Sequence, residues 1–277
     1  MRLIKRWIIP IIFPLLFLLF WQTYAIKIDS NIILPKIDTV LSLLTSPFTS
    51  LLGIGSLIGN TFVSIARVML GYGIAAIIAI PLGMLIGYSR FSERLFMPFL
   101  NIFRPIAPLA WVPLVLAWFG ISSLATIFAV ENIELYVLLN NIKLSMLFII
   151  FIGAFFPILT NSIYGVKSVK KILVDSALTL GASKKDVFVK VLLPYSLPSI
   201  VTGLRVGLGV AWMCLVSAEM LPGSLAGIGY MITHAYTVGR TDVVIAGMIA
   251  ISAVGGLFDY LYQKVEHKYF KWQSMDR

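Results

Sequence analysis

Four ionisable side chains lie within or next to long apolar stretches of this sequence: Arg67, Arg205, Glu219 and Asp259. Charged groups are costly inside a membrane and usually face a protein interior or water. One hypothesis is that Arg67 or Arg205 attracts an anion along a central path, with Glu219 near its outer gate. The alternative is that all four lie near the ends of membrane spans, where they reach the interface or pair within the chain.

The remaining residues do not favour catalytic or metal-binding chemistry. Cys214 is the single cysteine, and His234 and His267 lie too far apart to predict a metal-ligand cluster. No glycine is followed by lysine, which excludes the G-x-x-x-x-G-K-[ST] loop that binds ATP phosphates. No nucleophile has a base and an orienting partner. The sequence therefore predicts no enzyme activity, no cofactor, no metal and no nucleic-acid partner for this chain.

The composition predicts a polytopic membrane protein made of helices. Of 277 residues, 59% are hydrophobic and 12% are charged, against roughly 25% charged in a soluble domain. This excludes water-soluble globular and disordered proteins. A helix needs roughly 20 mostly apolar residues to cross the hydrocarbon layer. Six spans are predicted: 7–24, 68–87, 106–119, 144–164, 199–220 and 242–261.

Three of the predicted spans have irregular features. The first could be a signal peptide cleaved after Thr23-Tyr24-Ala25, but its apolar run is longer than such peptides have, which favours a retained span. The second follows an apolar stretch, 51–65, that is too long to share one straight crossing and is expected at the membrane interface. The third is short, and Pro108 and Pro113 are expected to kink it.

The distribution of positive charge predicts the orientation. Six spans put both ends on one side, and a cytoplasmic N-terminus puts most of the 22 Lys and Arg residues in inner segments, Arg104 among them. We therefore expect both termini in the cytoplasm of a plasma or inner-membrane protein. Segment 124–143 contains Glu131, Glu134 and Lys143, and is expected to be an outer loop or a surface-lying helix.

Small residues recur along three spans and allow helices to approach closely in lipid. Static packing and sliding of helices during a gating cycle are both consistent with this pattern. The residues are Gly71, Ala75, Ala79, Gly83 and Gly87; Gly203, Gly207 and Ala211; and Gly247, Ala250, Ala253, Gly255 and Gly256.

The longest polar segment expected in the cytoplasm is 165–198. Gly181 follows a helical pattern at the position where a left-handed helix cap favours glycine. Ser183 and Asp186 resemble a capping box, which predicts a second helix. Pro194 and Pro198 are expected to break that helix as the chain enters the membrane. The first helix is predicted from apolar residues at helical spacing: Val169, Ile172, Leu173, Ala177 and Leu180.

This segment also carries a family motif. It reads Asp175-Ser176-Ala177, three residues, Gly181, nine residues, then Val191-Leu192-Leu193-Pro194. It resembles the EAA loop of ABC-importer permeases: Glu-Ala-Ala, three residues, Gly, nine residues, Ile-x-Leu-Pro. In that family the loop is a coupling helix that sits in a cleft of the ATP-binding subunit. The resemblance implies this role for Asp175, Ser176, Ala177, Gly181, Leu193 and Pro194. Asp175 would contact the ATPase or cap the helix locally.

Most of the chain resembles the nitrate, sulfonate, taurine and bicarbonate branch of these permeases, and 126–143 is an extra segment relative to that branch. The resemblance implies an all-α, type I (MetI-like) permease fold with about six transmembrane helices. It also implies an N-terminal helix and outer segment at 1–60, a permease core at 61–265 that includes a coupling loop at 165–194, and a cytoplasmic tail at 266–277.

The resemblance further implies an ATP-driven importer. The chain would pair with itself and dock two ATP-binding subunits, which bind the ATP. It would receive a small solute, such as nitrate, a sulfonate, taurine or bicarbonate, from an extracytoplasmic binding protein. The rival is a secondary transporter or channel without an ATPase, which inverted repeats and intramembrane carboxylates would favour. No convincing repeat is present, and Glu219 and Asp259 lie near span ends.

Overall fold

The structure, a computed structural model, describes residues 2–221 and 223–270, with side chains from residue 12 onward. Within these residues it is all-α, as predicted, and contains no β-strand. The α-helices in chain order are α1 (Arg2–Ile28), α2 (Ile37–Thr45), α3 (Leu57–Tyr88), α4 (Arg90–Phe103), α5 (Val112–Phe119), α6 (Leu124–Ile127), α7 (Ile133–Asn140), α8 (Leu144–Lys167), α9 (Lys171–Thr179), α10 (Lys184–Val187), α11 (Leu193–Glu219), α12 (Ile228–Thr237) and α13 (Thr241–Tyr269).

Four helices in the described part of the chain are long and apolar enough to cross a membrane. They are α3, α8, the continuous helix Lys184–Glu219, and α13, and they coincide with the second, fourth, fifth and sixth predicted spans. The first predicted span lies in α1. Segment 124–143 forms the short helices α6 and α7 and does not span, as predicted.

The second predicted span begins earlier than expected. Helix α3 is a single helix of 32 residues from Leu57 to Tyr88, so the expected break between an interfacial stretch and the span is absent. At 1.5 Å per residue the helix is about 48 Å long, which exceeds the hydrocarbon thickness of roughly 30 Å. The polar residues Asn60 and Ser64 in its first turns are buried within the protein.

The third predicted span, 106–119, covers only the second half of a bent pair of helices. Arg90–Phe103 and Pro108–Phe119 are bent by 84° relative to each other, with Arg104 at the break. Ala107 is extended (φ −58°, ψ 136°), because the ring of Pro108 disfavours a helical conformation in the residue before it. Pro113 lies in the first turn of α5, where no helical N–H donor is needed, so the expected kink at Pro113 is absent.

The fifth predicted span is longer than expected. Lys184–Glu219 is one helix, so the prediction that Pro194 and Pro198 break it is wrong. Phe188–Leu192 form a π-helical turn in which the Leu193 N–H donates to the Phe188 carbonyl. A π turn adds a residue to the helical ladder without ending the helix. Contacts from neighbouring helices can hold a membrane helix together around proline.

Small residues bring α8 close to both α3 and α11. A Cβ atom at Gly83 would lie 2.6 Å from the Ser162 Cβ, and one at Gly203 would lie 2.6 Å from the Asn161 Cβ. These positions accept only glycine without movement of a neighbour, which supports the packing interpretation. Comparable crowding surrounds Gly71, Gly87, Gly153 and Gly207.

The chain divides into two compact units. One contains the chain up to Val63 together with Glu219–Ala253. Its core is formed by Leu51, Leu57, Met231, Ala235 and Val243. The other contains Ser64–Ala218 and the chain from Val254 onward. Its helix-packed core includes Met84, Val166, Val187, Leu192 and Ile200. Residues 266–269 of the predicted tail continue α13, and 271–277 lie outside the described residues.

Candidate functional site

The predicted elbow, residues 165–194, is present and has a glycine turn at its corner. Gly181 has φ +84°, in the left-handed region. Its N–H donates to the Leu178 carbonyl (2.9 Å), and the Ala182 N–H donates to the Ala177 carbonyl (3.0 Å), which together form a left-handed cap on α9. No described atom lies within 4 Å of a Cβ built at Gly181. The backbone conformation, rather than crowding, therefore requires glycine.

The second arm of the elbow begins with the predicted capping box. The Asp186 N–H donates to Ser183 Oγ (3.2 Å), and the Ser183 N–H donates to Asp186 Oδ2 (3.3 Å). Lys190 Nζ lies 2.7 Å from Asp186 Oδ1, one helical turn further on. These local bonds satisfy donors at the helix start and fix the direction in which the second arm leaves the turn.

The elbow is firmly attached to the spans behind it. Val187 and Leu192 pack with Met84 of α3 and Val166 of α8 in one buried cluster. The rings of Tyr88 and Phe188 meet edge to face, with centroids 5.7 Å apart. Because interiors are close-packed, a displacement of the elbow must also move the ends of α3 and α8.

The apolar residues of α9 divide between two faces. Val174 and Ala177 pack towards the core cluster. Ile172 and Leu180 are exposed by 70% and 88%. The helical spacing predicted that Ile172, Leu173 and Leu180 share one apolar face with Val169 and Ala177. This grouping is wrong, because the first three side chains are exposed while Val169 and Ala177 pack against the core cluster. Leu178, which the spacing did not select, is also exposed.

Polar and apolar groups lie together on this outer face. Asp175 and Ser176 are exposed. Thr179 Oγ1 donates to the backbone carbonyl of Asp175 (2.9 Å). Among the described residues no donor is bonded to the Asp175 carboxylate, so it does not cap α9. At the other end of the motif Leu193 is half-buried and Pro194 is exposed.

Arg67 is buried and bound to the segment that follows the bent pair. It is 1% exposed, and its Nε donates to the Asn141 carbonyl (2.7 Å) at the end of α7. Lys143 lies close by. Burial lowers the pKa of the Lys143 ammonium, and the positive charge of Arg67 lowers it further. Arg67 therefore helps to hold segment 124–143 in place.

Glu219 caps a helix. It is fully buried, and its Oε2 accepts the Gly229 N–H (3.0 Å) in the first turn of α12. A carboxylate is favourable there because the first helical N–H groups have no intrahelical partner. Asn60 Oδ1 accepts the Gly227 N–H (2.8 Å) beside it. Gly227 has φ +111°, and a Cβ at this position would collide with the Glu219 carboxylate.

Arg205 forms ion pairs with two carboxylates. Its Nε lies 2.6 Å from Asp259 Oδ1 and its Nη1 lies 3.0 Å from Glu266 Oε2, both on α13. Two negative partners leave little positive potential for an anion. The alternative of pairing within the chain thus describes Arg205 and Asp259.

Comparison with known proteins connects the elbow to a family. A family profile described as the inner membrane component of binding-protein-dependent transport systems matches residues 79–271, which include the whole elbow. The chain belongs to this family. The permease is 48% identical over 271 residues to an ABC transporter permease of Methanocaldococcus jannaschii, covering 98% of this chain and 94% of the relative.

Two further relatives carry solute names. The permease is 32% identical to the aliphatic sulfonates transport permease of Bacillus subtilis, over 97% of this chain and 88% of the relative. It is 33% identical to the bicarbonate transport permease of Synechococcus elongatus, over 92% and 89%. Among solved structures, a chain of the MetNI methionine ABC transporter, inward-facing, aligns with a TM-score of 0.60 at 16% identity. The alignment covers 76% of the permease and 94% of the MetNI chain, which shows the type I fold.

These comparisons confirm the predicted class of protein. The permease is the membrane component of an ATP-driven importer, in the branch that includes sulfonate, taurine and bicarbonate permeases. Its family works with ATP-binding subunits and a solute-binding protein and transports solutes rather than catalysing reactions on them. The comparisons do not support the rival reading of a transporter without an ATPase.

A polar cavity in the second unit was not foreseen from the sequence. It has a volume of about 380 Å³ and lies where the break before α5 faces α8 and α11. Its polar side chains are Arg104, Thr160 and Asn161, and Val206 of α11 forms part of the apolar wall. Charge counting had placed Arg104 in an inner segment, and hydropathy gave no sign that it lines a cavity.

Proposed function

We propose that the permease imports a small oxyanion, such as a sulfonate, taurine, nitrate or bicarbonate. It acts as a homodimer with two ATP-binding subunits on the cytoplasmic side and receives solute from an extracytoplasmic binding protein. The names of the sulfonate and bicarbonate relatives support this solute class. Both termini lie in the cytoplasm, in agreement with the excess of Lys and Arg in the segments assigned to that side.

The elbow is the docking site for the ATP-binding subunit. The observation that carries this proposal is the outer face of the elbow, where Leu180 is 88% exposed and Ile172 is 70% exposed near the exposed carboxylate of Asp175. Exposed apolar side chains with a polar rim are typical of a protein interface. Ser176, Gly181 and Pro194 are also exposed, whereas Ala177 and Leu193 are partly buried and pack against the core cluster.

The elbow also suits the transmission of force. Val187 and Leu192 fix its second arm against α3 and α8, and the arm continues without a break into the span that ends at Glu219. A rigid connection of this kind moves helix ends when its partner moves. Closure of the two ATP-binding subunits would bring two elbows together and open the path outward, and hydrolysis would reset it.

Co-purification tests the docking site. The permease is expressed with its ATP-binding subunit in membranes and purified through a tag on the permease. Leu180→Asp places a charge on the outer face without altering a buried contact, and we expect it to reduce the recovered ATPase at least about tenfold. Native mass spectrometry of the wild-type complex is expected to give two permease chains and two ATPase chains.

Ile121→Asp is the matched control, because Ile121 is also strongly exposed but lies outside the elbow, between α5 and α6. It should leave the recovered ATPase unchanged. Full ATPase recovery with Leu180→Asp would disprove docking at this face. Absence of any ATPase from the wild-type preparation would disprove the complex itself.

A further inference from the structure

The cavity at Arg104 has no assigned role. We propose that it is an oxyanion-binding subsite of the translocation path, in which the Arg104 guanidinium holds the negatively charged group of the solute. This inference rests on the proposed function, because it names the place inside the permease where the imported anion is recognised.

The position of the cavity follows from the break in the bent pair. Backbone that leaves the helical conformation within a membrane protein needs other partners, and it occurs where it is buried or lines a water-filled cavity. Here the break between Phe103 and Pro108 borders the cavity directly, and Arg104, Ile106 and Pro108 line it. Discontinuous helices are a common place for solute sites in transporters.

The opposite wall adds polar groups. Pro157 has no N–H, so the Gly153 carbonyl one turn earlier in α8 lacks its usual helical donor, and both residues line the cavity. Thr160 Oγ1 donates to the Phe156 carbonyl (2.8 Å), and Asn161 Nδ2 donates to the Pro157 carbonyl (2.8 Å). The second amide hydrogen of Asn161 remains for a ligand or water.

The charge of Arg104 is not neutralised there. None of the residues lining the cavity is acidic, and within the described part of the chain no ion partner is bound to Arg104. Arg205 differs, because two carboxylates hold it. A guanidinium offers paired N–H donors that match two oxygens of a carboxylate, sulfonate or bicarbonate group. The volume of about 380 Å³ admits a solute of a few heavy atoms together with water.

Thiol modification tests the electrostatics of the cavity without knowledge of the solute. Cys214, the only cysteine, is replaced in Cys214→Ala, and Val206→Cys then places one thiol on the cavity wall. The reaction rates of an anionic and a cationic methanethiosulfonate are compared in the purified permease complex. Arg104→Gln is expected to lower the ratio of anionic to cationic rate roughly tenfold.

Arg94→Gln is the matched control, because it removes an equal charge from the exposed side of α4 outside this cavity. It should leave the ratio unchanged. The proposal is overturned if Arg104→Gln leaves the ratio unchanged. It is equally overturned if neither reagent reaches the thiol introduced by Val206→Cys, because the cavity would then be closed to water.

Transport by the complete system connects the cavity with the path. The permease, its ATPase and its binding protein are reconstituted in proteoliposomes and supplied with taurine, butanesulfonate, nitrate or bicarbonate. For the anion that the wild type moves, Arg104→Gln should lower the uptake rate at least about tenfold, Arg104→Lys should retain an intermediate rate, and Arg94→Gln should match the wild type. Equal uptake by Arg104→Gln would overturn the subsite. If the wild type moves none of the anions, the proposed solute class fails, while the thiol experiment still decides whether the cavity is electropositive.

Discussion

At the scale of single residues, Gly227 leaves no room for a side chain beside the Glu219 carboxylate. Gly227 has a left-handed backbone and faces the buried carboxylate that caps α12. Gly227→Ala should therefore lower the free energy of unfolding through two contributions. Backbone strain should contribute about 1–2 kcal/mol and crowding about 1–3 kcal/mol. Thermal unfolding of the purified permease in detergent measures the sum.

Gly223→Ala separates the two contributions. Gly223 also has a left-handed backbone (φ +97°), but no described atom lies within 4 Å of its Cβ position. It should show the strain alone and a smaller loss of stability. Equal losses for the two variants would mean that Glu219 yields without cost, and the capping contact would then carry little energy.

The residues of the elbow could be predicted from sequence, whereas the partners of the buried charged side chains could not. Gly181 and the Ser183–Asp186 pair act through bonds that span a few residues, so local spacing reveals them. Arg67 contacts a carbonyl 74 positions away, at the end of a short helix that no periodicity indicated. Its burial and its positioning contact appear only once the chain has folded.

At the scale of helices, the close approach of α3 to α8 depends on Gly83. A Cβ there would lie 2.8 Å from the Leu159 carbonyl oxygen, a backbone atom that cannot rotate away. We expect Gly83→Ala to lower the unfolding free energy by about 1–3 kcal/mol and to shift the thermal midpoint down in detergent.

Gly73→Ala is the control in the same helix, because no described atom outside its own helical backbone lies within 4 Å of that Cβ position. It should be neutral or slightly stabilising, since alanine favours a helix over glycine by about 1 kcal/mol. If both variants behaved alike, small residues in α3 would reflect helix flexibility rather than packing.

Hydropathy located the long helices but not their irregularities. The length of the apolar stretches alone predicts α3, α8, α11 and α13, because a helix that crosses the hydrocarbon layer needs a long apolar stretch. Proline was less informative, since its effect depends on the position within a helix. Pro113 lies in the first turn of a helix, Pro194 follows a π turn, and Pro108 holds the residue before it in an extended conformation. The polar cavity results from the last of these and so could not be read from composition.

At the scale of the whole permease, we expect the elbow and segment 124–143 to face opposite sides of the membrane. α8 connects the two as a helix of 24 residues, long enough to cross once. By the positive-inside rule we expect the lysine-rich elbow on the cytoplasmic side and α7, which carries Glu134, on the outer side.

Labelling of single cysteines tests this orientation. In Cys214→Ala, Lys185→Cys marks the elbow and Glu134→Cys marks α7, and both positions are exposed. A membrane-impermeant maleimide added to intact cells should label Glu134→Cys only. In inside-out vesicles the reagent should label Lys185→Cys only, and Cys214→Ala alone should remain unlabelled in both. Labelling of Lys185→Cys from outside intact cells would place the docking face where no ATP-binding subunit can reach it, and the coupling role of the elbow would be untenable.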